Sequence, residues 1–141
     1  FYQALSDELE IYIRHLAWLN TAPDEGRLSR RAEFERDNHP VEMPECDAFY
    51  ILEYLFEIGL TLGDAAITHS EIRAWMDNTG VDLTAWEARA IKVLSETYLS
   101  MCHESRNPET ETPWADAPYY MSAKWRKAMK LKNSIRKAAE A

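Results

Sequence analysis

Two helix-start signals with a glycine between them constrain the fold of this chain more than any other feature. Residues Thr68–Glu71 and Thr84–Glu87 both match the capping box, in which a threonine hydroxyl accepts a backbone N–H and the glutamate reaches back to the cap. Gly80 stands where the first helix must end, since glycine adopts the left-handed conformation of a helix cap without strain. The pattern predicts an αα-hairpin of two helices, about Glu71–Thr79 and Ala85–Glu104.

The composition of the rest of the chain is also helical. It holds 18 alanines and 13 leucines against three valines and four glycines, whereas strands favour β-branched residues. No alternating apolar run is bounded by hairpin turns. The sequence therefore predicts an all-α protein of five to six helices around the hairpin, with further segments at about Ser6–Asn20, Arg27–Asn38, Ala48–Leu60 and Ser122–Ala139.

The three segments before the hairpin differ in their apolar content. We expect Ser6 to cap the first helix and Asp47 to cap the helix at Ala48–Leu60. That helix is apolar on most sides, so it is expected to lie at the centre of the fold. Arg27–Asn38 is heavily charged, and it is expected to be a solvated helix or to be only partly ordered.

Charge divides the chain into an acidic body and a basic end. The formal net charge is −8, but residues 123–141 carry +6 and the preceding residues carry −14. Three prolines interrupt the sequence between these two parts. We divide the chain accordingly into an acidic helical domain (1–105), a connector that forms a proline-rich strap (106–121) and a basic amphipathic C-terminal helix (122–141).

The sequence argues against two classes for this chain, namely a membrane-spanning protein and a disulfide-rich secreted protein. The longest stretch without a charged side chain, His15–Pro23, has nine residues, whereas a membrane-spanning helix needs about 20. Cys46 and Cys102 are too few for a disulfide framework, and they fit a reducing cytoplasm.

Catalytic and cofactor motifs are absent from the sequence. His69 and Glu71 match half of a zinc deaminase signature, but no Cys-x-x-Cys follows. Cys102 and His103 are neighbours in a predicted helix, where successive side chains project about 100° apart, so they do not form a nucleophile and base pair. Phosphate-binding loops, dinucleotide fingerprints and nucleophile elbows are also missing. We therefore predict a protein that is not an enzyme and has no catalytic residue, metal or cofactor.

The aromatic residues fall into two groups. Trp75 and Trp86 stand at the corners of the predicted hairpin and are expected to anchor the core. Trp114, Tyr119 and Tyr120 lie among prolines, where they either wrap over the domain or dock into a partner, since aromatic anchors dominate interfaces.

The basic C-terminal helix has three candidate binding partners. A further interpretation is that its charges only aid solubility. It could bind nucleic acid phosphates, an anionic membrane or an acidic protein surface, including the body of a second copy. The acidic body would repel a phosphate backbone, and the apolar strip of the helix is short, so elimination favours protein docking. The candidate partner-binding residues are Trp114, Tyr119, Tyr120, Lys124, Trp125, Lys127, Met129 and Lys130.

The middle of the chain, about residues 50–104, resembles a known family. The segments Tyr54–Gly59, Ile67–Trp75, Thr79–Glu87 and Leu94–Leu99 are similar to small helical proteins of tailed phages, encoded near the tape-measure gene and described as tail assembly chaperones or minor tail proteins. In that family an apolar helix precedes a Ser/Thr-x-x-Glu-Ile-x-x-Trp helix, a Thr-Gly-x-x-Leu corner, and a helix that opens with Trp-Glu and ends in Tyr-Leu.

The resemblance implies a non-enzymatic role in tail assembly. Such chaperones coat the tape-measure protein in the host cytoplasm and help to recruit tail-tube subunits, so the implied partners are these two proteins. A second copy of the chain is a further candidate partner, and no membrane is expected. Two alternatives stay open: a small phage or bacterial regulator that binds nucleic acid through the basic C-terminal helix, and a structural subunit of the mature virion.

Overall fold

The computed structural model describes residues 1–114 and 123–140, and within the second range it describes the side chains of residues 130–132 and 134–140. These residues form an all-α fold without a strand, as the composition predicts. An isolated bridge between Leu62 and Ala65 closes a tight turn. The six helices are α1 (Tyr2–Asn20), α2 (Arg30–Arg36), α3 (Phe49–Ile58), α4 (His69–Thr79), α5 (Ala85–Ser105) and α6 (Ala123–Glu140).

The most extensive helix contact joins α1 to α5, and α3 packs beside them on α5. This corrects the expectation that α3 lies at the centre. One stripe of α3 is buried, formed by Ile51, Leu52 and Leu55, while Tyr50 and Phe56 on its other sides remain about 40% exposed. Its contacts with α5 and α4 bury this one stripe, so an apolar composition on most sides does not make α3 central.

A second cluster of buried residues joins the C-terminal half of α1 to α2 and to the end of α5. It contains Ala17, Trp18, Leu19, Phe34 and Met101. The charged segment that sequence patterns assign to a solvated or partly ordered helix is therefore packed, although α2 is shorter than predicted. The charges themselves explain the difference, because Arg30 and Glu33 are buried rather than solvated.

The helix ends match the sequence-based predictions unevenly. The second capping box is complete, with both the Thr84 hydroxyl and the Glu87 carboxylate bound to the backbone, and Gly80 ends α4 in the left-handed conformation at φ +76°. In the first box the Thr68 hydroxyl donates to the Glu71 carboxylate instead of accepting a backbone N–H. The predicted caps at Ser6 and Asp47 are wrong, because α1 begins at Tyr2 and the N-cap of α3 is Ala48.

The basic helix α6 lies against the acidic body through ion pairs. Lys132 is 3.7 Å from Glu33, and Arg136 is 2.7 Å from Asp24 without hydrogen-bonding geometry. Lys137 pairs with Glu109, in the segment that follows α5. The positive charge at this end of the sequence is therefore partly neutralised by ion pairs within the chain itself.

Candidate protein-docking surface

A line of aromatic side chains crosses one side of the helical body, and we call it the aromatic row. Tyr2 of α1 lies 5.1 Å from Trp86 of α5, measured between ring centroids. On α3, Tyr50 lies 5.8 Å from Tyr54, which in turn lies 4.9 Å from Trp75 of α4. Four helices thus contribute five rings in two groups, Tyr2 with Trp86 and Tyr50 with Tyr54 and Trp75. The groups are neighbours because Tyr50 lies within electrostatic reach of Tyr2 and of Glu87, the residue after Trp86.

Local structure places each ring of the aromatic row. Tyr50 and Tyr54 are four residues apart on α3, so they share one face of that helix. The capping box at Thr84 starts α5 and places Trp86 in its first turn. Trp75 and Trp86 are half-buried rather than fully buried. Trp86 and Tyr54 pack against the main core cluster, so the row is part of the surface as well as the edge of the core.

Glu87 connects the capping box to the aromatic row. Its carboxylate accepts the Thr84 backbone N–H at 2.8 Å and also lies next to the Tyr50 hydroxyl. Partial burial and the proximity of this carboxylate raise the pKa of Tyr50 to about 12. The hydrogen bond from the Thr84 backbone N–H, with smaller contributions from the nearby Tyr50 and Thr84 hydroxyls, lowers the pKa of Glu87. Tyr50 therefore lies beside a carboxylate and still has 43% of the residue exposed.

Glutamate side chains lie beside the aromatic row on two of its helices, α3 and α4. Glu53 and Glu57 lie three and seven residues after Tyr50, on the same side of α3, and both are exposed. Glu71 stands one helical turn before Trp75 on α4. The row is consequently an aromatic surface with an acidic border.

An apolar groove between α1 and α5 adjoins the row at Trp86. Its volume is about 290 Å³. The residues that line it are Ser6, Leu9, Glu10, Trp86, Arg89, Ala90, Val93, Leu94 and Thr97. Val93 is 55% exposed beside it. Apolar surface that continues from the row into a groove suits a helical or extended protein segment better than a small polar ligand.

A buried polar cluster holds the segment after α5 against α1. The Nδ1 atom of His15 lies 2.9 Å from the Thr112 hydroxyl, and the Trp18 indole N–H donates to the Thr110 carbonyl at 2.9 Å. Burial lowers the pKa of His15 to about 4. Sequence patterns gave no sign of this cluster, because its members are about 90 residues apart in the chain.

The predicted partner-binding residues occupy different parts of the molecule. Trp114 is half-buried and packs edge-to-face on His15, with the ring centroids 5.3 Å apart, so it wraps over the body. Lys130 is exposed on α6. Tyr119 and Tyr120 lie outside the described residues, as do the side chains of Lys124, Trp125, Lys127 and Met129.

The aromatic row contains residues that the sequence-based site did not include. The available signal was the pair of tyrosines four residues apart on a helix that also carries glutamates on that side. Their proximity to Trp75 and Trp86 depends on how α3, α4 and α5 pack, which local patterns do not specify.

Neither a metal cluster nor a membrane span is found within residues 1–114 and 123–140. No group of three or more His, Cys, Asp or Glu side chains described there could hold a metal ion. Each described helix is too short or too polar to cross a membrane.

Comparisons of the chain with models of protein families, with curated proteins and with solved structures found no match.

Proposed function

We propose that this chain is a non-enzymatic protein-binding module that acts as a phage tail assembly chaperone or tail-associated protein. Its clients would be the tape-measure protein, the tail-tube protein or both, in the host cytoplasm. The observation that carries this proposal is the aromatic row, which lies mostly within the residues that resemble the chaperone family.

The chemistry of the row supports protein binding. Tyrosine and tryptophan are enriched among the residues that dominate interface energies, because they bury a large area at low cost in side-chain entropy. The row presents both residue types on four packed helices, so its rings are positioned before a partner arrives. Its glutamates would favour a client segment that carries lysine or arginine next to its apolar residues.

The structure offers less support for nucleic acid binding through α6. Lys132, Arg136 and Lys137 are each paired with a carboxylate of the body. Binding to phosphate would require these pairs to break and would bring the acidic body close to a polyanion.

Co-expression with the tape-measure and tail-tube proteins tests the proposal. The wild-type chain should recover at least one of them, and Tyr50→Ala should recover much less. Phe49→Ala is the matched control, because Phe49 is a neighbouring ring of similar exposure that packs on Tyr12 instead of the row.

Recovery of neither client would contradict the proposal. Tight DNA or RNA binding that falls steeply with salt and depends on α6 would support the regulator instead. Detection of the chain in purified virions would indicate that it is a structural subunit, since a chaperone is absent from the mature particle.

A further inference from the structure

We infer that copies of this chain associate head to tail, with the exposed apolar face of α6 in one copy docked on the aromatic row of the next. The inference rests on the same surface as the proposed function but concerns a second copy instead of a client. It depends on three observations: an unpartnered apolar face, an aromatic acceptor and complementary charge.

The donor face lies on the part of α6 that the ion pairs leave uncovered. Leu131 and Ile135 are four residues apart, and each is 62% exposed. Ala138 continues the same face one turn later and is also exposed. Lys132 and Arg136 project from a different face, toward the body. A helix that binds its own body by its cations therefore presents an apolar strip to the outside.

Charge favours the aromatic row as the surface that receives this strip. The residues of α6 carry a net positive charge, and exposed Lys130 flanks the strip. The row is bordered by Glu53, Glu57 and Glu71, so basic and acidic borders would meet around an apolar centre. Pairing of two α6 helices would instead bring like charges together. The groove between α1 and α5 fits less well because Arg89 offsets the charge of Glu10 in its lining, whereas the border of the row is formed by glutamates.

The two surfaces can be used at the same time. Within one chain α6 is held by Asp24, Glu33 and Glu109, and none of these belongs to the aromatic row. Each copy therefore keeps a free donor and a free acceptor. Because these are different patches, the contact is heterologous, and it extends into a filament or closes into a ring.

Sedimentation velocity of the full chain over a wide concentration range tests the inference. The average mass should rise with concentration, and added salt should weaken the association because the bordering charges are screened. A donor variant, Leu131→Glu with Ile135→Glu, and an acceptor variant, Tyr50→Ala, should each weaken association by about tenfold or more. Tyr2→Ala is a second acceptor variant should Tyr50→Ala fold poorly.

Two control variants match these changes. Leu28→Glu adds a charge at a similarly exposed leucine outside both surfaces, and Phe49→Ala removes a ring beside the row. Both should associate like the wild type. Circular dichroism and the urea midpoint establish that each variant is folded.

Mixing the variants gives the decisive result. The donor variant keeps an intact row and the acceptor variant keeps an intact α6, so together they should form a one-to-one pair that neither forms alone. A wild-type chain that stays monomeric, or a mixture that restores no pairing, would overturn the inference. So would a monomer that sediments with anionic vesicles through α6, because that result assigns the strip to a membrane surface.

A monomer that still captures a client overturns only this inference, whereas self-association without client capture overturns only the proposed function.

Discussion

The guanidinium of Arg30 lies over the indole ring of Trp18, with Cζ 4.8 Å from the ring centroid, and Nη1 donates to the Trp18 carbonyl at 3.1 Å. The same side chain donates to the carbonyls of Thr21 at 3.4 Å and Asn107 at 3.1 Å. One buried arginine therefore joins the end of α1, the start of α2 and the segment after α5. Burial lowers its pKa to about 10, so it remains charged at neutral pH.

Replacement of Arg30 by methionine should strongly destabilise the fold. The change keeps most of the side-chain volume but leaves three carbonyls without this donor and removes the cation that lies over the Trp18 ring. We expect a loss of about 3 kcal/mol in the free energy of unfolding, measured by urea titration. Arg36→Met is the control, because Arg36 pairs with Asp37 at the surface, and it should leave the midpoint unchanged. Equal effects of the two substitutions would refute the role assigned to Arg30.

Protonation of His15 should make stability depend on pH between about 6.5 and 4. Burial holds the pKa of His15 at about 4 in the folded chain, below the ordinary value of 6.5. The unfolded state therefore binds a proton first as the pH falls, and stability is lost across this window. The loss is complete below the folded pKa and amounts to about 3 kcal/mol at most.

Urea titrations at several pH values measure this dependence. His15→Gln should lower stability at pH 7, because a buried ring and its contacts are lost, and should flatten the slope between pH 6.5 and 4. His103→Gln changes an exposed histidine at the end of α5 and should keep the wild-type slope. An unchanged slope in the His15 variant would show that other groups control the dependence.

Local sequence signals predicted the helices better than they predicted the packing. Gly80 and the Thr84–Glu87 box locate the corner of the hairpin because each acts within a few residues of the backbone. The role of Arg30 was not predicted, since its acceptor Asn107 is 77 residues away. A charge pattern alone could not distinguish a solvated α2 from one that buries Arg30 against an indole. The aromatic row was missed for the same reason, because its rings come from four helices.

The two capping boxes should differ in their contribution to stability. Thr84 accepts the Glu87 backbone N–H at 3.2 Å, whereas Thr68 makes no side-chain bond to the backbone N–H groups of α4. Thr84→Ala should therefore cost about 1 kcal/mol, and Thr68→Ala should cost clearly less. Thermal and urea unfolding of the two variants give the comparison. A larger effect at Thr68 would mean that its hydroxyl caps α4 in solution.

The docking of α6 on its own body should depend on salt. Its described contacts are the ion pairs of Lys132, Arg136 and Lys137, and Leu131 and Ile135 bury little surface that could replace them. Raising the ionic strength from about 0.01 M to about 1 M shortens the Debye length from about 30 Å to about 3 Å. Hydrogen exchange of the α6 amides should then accelerate while exchange in α5 stays slow.

A matched pair of variants separates docking from a general effect of salt. Arg136→Ala should accelerate α6 exchange at low salt, because its partner Asp24 anchors the C-terminal half of the helix on the body. Arg73→Ala removes an exposed pair with Asp77 inside α4 and should have no effect on α6. If α6 stays protected at high salt and in Arg136→Ala, apolar contacts must hold it. Its strip would then face its own body, which would contradict the exposed donor face on which head-to-tail association depends.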